Sequence, residues 1–317
     1  MDQKLNVLPY SDFKSDDEID LRELFLVIYR GKWLILLVSF VFGVIGVLYA
    51  KSLPNIYKSE ALLVPVTDSS GVEISGQLGG LAALAGVNLG GSVGDKAALA
   101  IEILKSREFV TRFIQKYDLF VPIMAGESWD KESNVLNINN EIYDIEKKEW
   151  VRGVGELHGS RPTNQEGYAM FMTLFDVSQD KTNGLVRVSI EYMSPFLAKE
   201  WVSLLVKEIN REMRYRELNE AQKSISYLNE QILQTDIADV KSMLFSLIEE
   251  QTKTLMLASV REEYVFNTID PAIAPEKKSG PKRAIIVILA VVFGFVVGLF
   301  FVLLKGISSK ESYRSEE

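Results

Sequence analysis

The sequence contains no cysteine and a single histidine, His158. Disulfides, thiolate zinc sites and cysteine nucleophiles are thereby excluded, and a histidine-rich metal centre or Ser-His-Asp triad is disfavoured. The lack of thiols assigns no compartment, although it suits an oxidising one, where unpaired thiols are a liability. Positive charge is scarce as well. With 35 Lys and Arg against 43 Asp and Glu, the net charge is -8. Sequence-independent nucleic-acid binding needs a cationic surface, so no nucleic-acid partner is expected. Helix breakers are missing from one long stretch, since neither Gly nor Pro occurs between Phe196 and Asp270.

Enzymatic signatures are missing too. No G-x-x-x-x-G-K-[ST] loop is present to wrap nucleotide phosphates, and no G-x-G-x-x-G. A carboxylate pair of glycosidase type carries no weight among so many acids. The expectation is no enzyme, no cofactor and no metal.

What is present is apolar length. "WLILLVSFVFGVIGVLYA" runs from Trp33 to Ala50 without a charge, and "AIIVILAVVFGFVVGLFFVLL" from Ala284 to Leu304 is all apolar or Gly. A bilayer-spanning helix needs roughly 20 such residues. Both runs read as membrane spans, at 33–50 and 284–304. The first lies too far in, after an acidic segment, to be a cleaved signal peptide. Two spans place segments 1–32 and 305–317 on one side and residues 51–283 on the other. Lys and Arg flank both spans on both sides, so charge alone gives cytoplasmic termini only an edge.

The large loop reads as α/β. "NIYKSEALLVPV" (Asn55 to Val66) is strand-like. Residues 95–120 carry a helical period with Asp95 as N-cap. Residues 125–168 read as short helices and loops. "FMTLFDVSQD" and "GLVRVSIEYM" flank Asn183-Gly184 and read as a β-hairpin. Ser194-Pro195 opens a helix expected to reach about Gln234, some 60 Å at 1.5 Å per residue. Ala198, Val202, Leu205 and Ile209 form its sheet-facing stripe. A polar stretch follows, then Leu218, Ala221, Ile225, Leu228 and Ile232 recur like a short coiled-coil seam. The helix is therefore expected to leave the base as a protruding arm, with Thr235 or Asp236 capping a return helix, 236–261. "EYVFNTID" reads as a strand. Pro271, Pro275 and Pro281 make 271–281 a stiff extended strut, with Lys282 and Arg283 at lipid headgroups.

Several site expectations follow. Gly294 and Gly298 form a GxxxG inside span two, and Ser39 and Gly43 its counterpart in span one, suited to close packing in lipid. Arg211, Arg214, Arg216 and Asn219 on the arm are candidates for contact with a partner molecule or neighbouring subunits. Residues 74–94 hold Gly76, Gly80, Gly86, Gly90 and Gly94 among Leu78, Leu81, Leu84, Val87 and Leu89. That stretch is too apolar for a free linker and reads as an apolar loop packing on a neighbouring subunit, a partner protein or a membrane leaflet.

The order of "DEIDLRELFLVIYRGKWLIL", "YKSEALLVP", "SPFLAKEWVSLLVKEIN" and the proline-rich lead into a Gly-containing span resembles the Wzz chain-length determinant family, polysaccharide co-polymerases of Gram-negative inner membranes. The resemblance implies an α+β membrane protein with two transmembrane helices flanking a periplasmic α/β base domain, and cytoplasmic termini. It implies a bell-shaped, ring-like homo-oligomer, octameric among the possible sizes. It also implies regulation of glycan length, with a Wzy-type polymerase and undecaprenyl-linked polysaccharide as partners, and no enzymatic activity. O-antigen is the first expected glycan, with enterobacterial common antigen or an exopolysaccharide as alternatives. Relatives fused to a cytoplasmic tyrosine kinase need more than the 13 residues after Leu304. A two-span sensor lacks an output for the same reason. A membrane-fusion adaptor of an exporter also carries a helical hairpin, but the second span argues against it.

Overall fold

The computed structural model describes residues 28–66, 93–153 and 159–314. In chain order the elements are α1 (Lys32–Ser52), β1 (Tyr57–Pro65), α2 (Val93–Lys105), α3 (Arg107–Lys116), α4 (Phe120–Ala125), β2 (Gly126–Asp130), β3 (Val135–Ile138), β4 (Tyr143–Asp144) and β5 (Glu149–Trp150). They continue as α5 (Asn164–Leu174), β6 (Phe175–Gln179), β7 (Val186–Tyr192), α6 (Pro195–Gln234), α7 (Ala238–Val260), β8 (Phe266–Asp270) and α8 (Arg283–Arg314). The chain forms two compact units: Met1–Leu53 with Pro281–Glu317, and Pro54–Gly280.

The first unit is the helix pair α1 and α8. Both are long and apolar enough to cross a membrane. Their outward faces carry Trp33, Phe40, Leu48, Leu289 and Phe300, all exposed. A helix apolar on every side is one that is covered, by a protein core or by lipid. Pro54 ends α1, because the residue before a proline is pushed out of the helical region, and Leu53 adopts ψ 135°. The second helix does not stop at Leu304: the backbone stays helical to Arg314.

The second unit is built on an antiparallel sheet in the order β6-β7-β1-β8. Tyr57 pairs with Tyr192 and Leu63 with Val186. Val186, Val188, Ile190 and Tyr192 alternate inward from β7, and Ser59, Ala61 and Leu63 from β1. Against them lies the buried stripe of α6: Ala198, Trp201, Val202, Leu205 and Ile209. As the residue pair suggests, Ser194 caps this helix, its hydroxyl accepting from the Leu197 N–H, and Pro195 opens it. Forty residues later it ends at Gln234.

Several local expectations fail. The span 95–120 is two helices. Helix α2 already begins at Val93, so Asp95 is not its cap and Gly94 lies in helix rather than loop. Ser106 breaks the run: its backbone is extended, and its hydroxyl caps α3 by accepting from the Phe109 N–H. Gly76, Gly80, Gly86 and Gly90 lie outside the described residues. "FMTL" is the end of α5 rather than a strand, because a Thr163–Glu166 capping box starts the helix upstream. Residues 125–168 hold two small hairpins, β2–β3 and β4–β5, besides helix. The β6–β7 connection is longer than a two-residue turn, with Gly184 at φ 72°. Neither Thr235 nor Asp236 caps the return helix, whose N-cap is Ile237 without a side-chain bond.

Helices α6 and α7 fold back on each other as a helical hairpin, here called the arm. Ala221, Leu244 and Ala258 are buried, and Leu218, Ile225, Leu228 and Ile232 half-buried. The proline-rich segment after β8 has no regular structure but is not loose. The Ser59 hydroxyl donates to the Ile273 carbonyl (2.7 Å), and Ile56 and Gly280 exchange backbone hydrogen bonds at 3.0 and 3.2 Å.

Candidate functional site

Small residues let α1 and α8 meet backbone to backbone. A Cβ added to Gly294 would lie 2.7 Å from the Phe42 Cβ and 3.0 Å from the Ser39 Cα. One on Gly298 would lie 3.0 Å from the Ile35 Cα, and one on Gly43 would lie 3.0 Å from Val291. The structure thus brings Ser39, Gly43, Gly294 and Gly298 together within a single chain. Gly46, which meets Ala290, extends the same seam. The Ser39 hydroxyl donates to the Ile35 carbonyl at 2.8 Å and so costs the apolar interface no unpaired donor. Phe42 and Phe293 add an edge-on ring contact.

In the second unit, charge collects where α6 leaves the sheet. Glu208 is buried beside the apolar stripe. Lys116 donates to it at 2.7 Å, Tyr117 at 2.6 Å, and Arg211 completes the group. Burial alone would raise the Glu208 carboxyl, but these donors and the neighbouring positive charges outweigh it and hold the carboxyl below its ordinary value. Burial and the Glu208 carboxylate together push the Tyr117 hydroxyl up to about 12. One turn on, Glu212 accepts from Arg112 (2.9 Å) and Arg216 (2.8 Å). These bonds clamp α3 to the root of the arm.

Asn210 is the second clamp. Its Oδ1 accepts from the Val265 and Phe266 N–H groups, at 2.8 and 3.0 Å. Its Nδ2 donates to the Phe266 and Val206 carbonyls, at 3.0 and 3.2 Å. A buried amide with all its bonds made holds the returning chain against α6.

The arm residues singled out from sequence are mostly answered within the chain. Arg211 pairs with Glu208, Arg216 with Glu212, and Arg214 donates to the Arg261 carbonyl at 3.4 Å. Asn219 is exposed. Farther out, Tyr227, Leu233, Ile237 and Phe245 leave apolar surface in solvent, Leu233 at 86%. Of the strut residues, Pro271 directly follows β8, Pro275 and Pro281 are half-buried, and Lys282 is exposed. Arg283 donates to the Leu53 carbonyl at 3.0 Å. Among the described residues, no three His, Asp or Glu side chains converge as a metal site requires.

Glu208 and Asn210 escaped the sequence reading. The available hint was their place on the edge of the Ala198–Ile209 stripe, where a polar residue must find a partner.

Two family models match the chain. One, described as "Wzz: Chain length determinant protein", covers residues 17–117, from before α1 through α3. The other, "GNVR: G-rich domain on putative tyrosine kinase", covers 231–307, from the arm's turn into α8. No curated protein matches. Among solved structures, a full-length bacterial polysaccharide co-polymerase aligns over 92% of this chain and 99% of its own, at 14% identity and a TM-score of 0.39. A fragment of WzzB, a polysaccharide co-polymerase from Salmonella Typhimurium, aligns over 71% of this chain and 100% of its own, at 14% identity and a TM-score of 0.29. The chain thus carries a Wzz chain length determinant domain at residues 17–117 and a GNVR domain at residues 231–307.

Proposed function

We propose that this protein sets the modal length of a polysaccharide, the O-antigen of lipopolysaccharide, as a non-enzymatic scaffold in a Gram-negative inner membrane. The match of residues 17–117 to the chain length determinant model carries the reading. Helices α1 and α8 span the bilayer, both termini are cytoplasmic, and residues 51–283 lie in the periplasm. The chain works as a homo-oligomer with a Wzy-type polymerase on undecaprenyl-linked glycan. The exposed apolar residues of the arm favour assembly, since isolated subunits rarely leave so many large side chains in water. Deletion of the gene, followed by gel analysis of the glycan, tests the reading. The modal cluster is expected to collapse into an unregulated ladder; an unchanged distribution would overturn it.

One observation favours a second reading. The match of residues 231–307 to a domain found on tyrosine kinases points to a co-polymerase paired with a separate kinase in exopolysaccharide synthesis. Loss of exopolysaccharide with intact O-antigen in the same deletion strain would select it.

A further inference from the structure

An open groove runs along one side of the α1–α8 seam. It encloses about 490 Å³ and is lined by Leu36, Ser39, Phe40, Gly43, Val44, Val47 and Leu48 of α1 and by Val287 and Val291 of α8. Ser39 and Gly43 are the smallest residues that line it. From Leu36 to Leu48 the groove extends along about 18 Å of helix at 1.5 Å per residue. One leaflet of a bilayer has about 15 Å of hydrocarbon. The groove therefore has the depth of one acyl chain and is too short for a much longer polyprenyl tail.

Both walls end in a cation at the same end. Residues three and four apart share a helix face. Lys51 continues the line of Val47 and Leu48 on α1, and Arg283 continues the line of Val291 and Val287 on α8. Lys282 is exposed beside it. The described part of this unit has one acidic residue, Glu311, near the far end of α8.

We propose that this groove binds an anionic phospholipid, its acyl chain along Val44, Val47 and Val291 and its phosphate between Lys51, Lys282 and Arg283. Clusters of cations at the ends of membrane helices attract such headgroups. The proposal rests on the reading that α1 and α8 lie in a bilayer. That reading fails separately, if the full-length protein is recovered in the soluble fraction after lysis.

The test uses the full-length protein in detergent, incubated with phosphatidylglycerol or phosphatidylcholine of matched tails and examined by native mass spectrometry. Wild type is expected to retain at least about fivefold more phosphatidylglycerol. Lys51→Gln with Lys282→Gln should bring the two lipids near parity. Val44→Trp with Val47→Trp should fill the groove and lower retention of both, while leaving the α1–α8 seam untouched. Parity in the wild type would overturn the proposal, as would unchanged retention in both variants. A groove-filling variant that changed subunit number instead of lipid retention would assign the groove to a second copy and equally overturn it.

Discussion

Asn210 meets Phe266 as one strand meets another: its side-chain amide accepts from the Phe266 N–H and donates to the Phe266 carbonyl, both at 3.0 Å. A helix has no free backbone groups to offer an extended chain, and this one side chain supplies the substitute. The substitution Asn210→Leu removes the acceptor of two buried N–H groups and the donor to a carbonyl. At about 1–3 kcal/mol for each unsatisfied buried group, a loss of at least 3 kcal/mol is expected. Urea unfolding followed by circular dichroism measures it; a loss below about 1 kcal/mol would show that water replaces the amide.

Gly298→Leu places a side chain where the Ile35 backbone lies, and Gly294→Leu meets Phe42 and Ser39. Overpacking of this kind costs about 1–3 kcal/mol. Because the contact lies within one chain, both variants should lower thermal stability in detergent. The nearby exposed Val296→Leu should not. Equal melting of all three would show that the seam contributes nothing to holding the pair.

Acid sensitivity is expected around Glu166. The Arg152 hydrogen bonds, with help from the Thr163 backbone N–H, hold its carboxyl at about 2. A depressed carboxylate stabilises the fold above its ordinary value, near 4.5, and that contribution is lost as pH falls from there toward 2. Glu166→Gln should therefore lower the urea midpoint at neutral pH and converge on the wild type near pH 2. A gap independent of pH would mean that the amide loses packing rather than charge.

Leu244→Glu puts a charge into the α6–α7 contact, where Leu244 is 8% exposed. The arm should then open toward its tip while the sheet keeps its core, because Leu244 lies outside the cluster that holds the Ala198–Ile209 stripe. Limited proteolysis should cut first near residues 235–237 and leave the base protected. An unchanged digestion pattern would refute independent opening.

Sequence and structure agree most where the deciding forces are local. Ser194-Pro195 marked the start of α6, and the absence of breakers gave its length. The Ala198–Ile209 period named the face that packs on the sheet. The errors have distant causes. "FMTLF" has strand-forming residues, yet the capping box at Thr163 and the burial of Phe171 make its first four residues helix. Glu208 finds Lys116 across 92 positions, and Asn210 finds Val265 across 55. No local pattern announces either pairing. Arg283 was legible as a headgroup residue and Lys51 only as a flanking charge, because bringing the two to one end of the helix pair depends on how α1 and α8 pack.

The 40-residue helix α6 has no joint between the core and the tip of the arm. Its root is gripped by Glu208 and Asn210, and some 37 Å of helix extends from Ile209 to Gln234 at 1.5 Å per residue. The element is a lever with its fulcrum in the sheet. A tilt of about 5° at the root carries the tip roughly 3 Å, and a load on the tip returns to the sheet as torque.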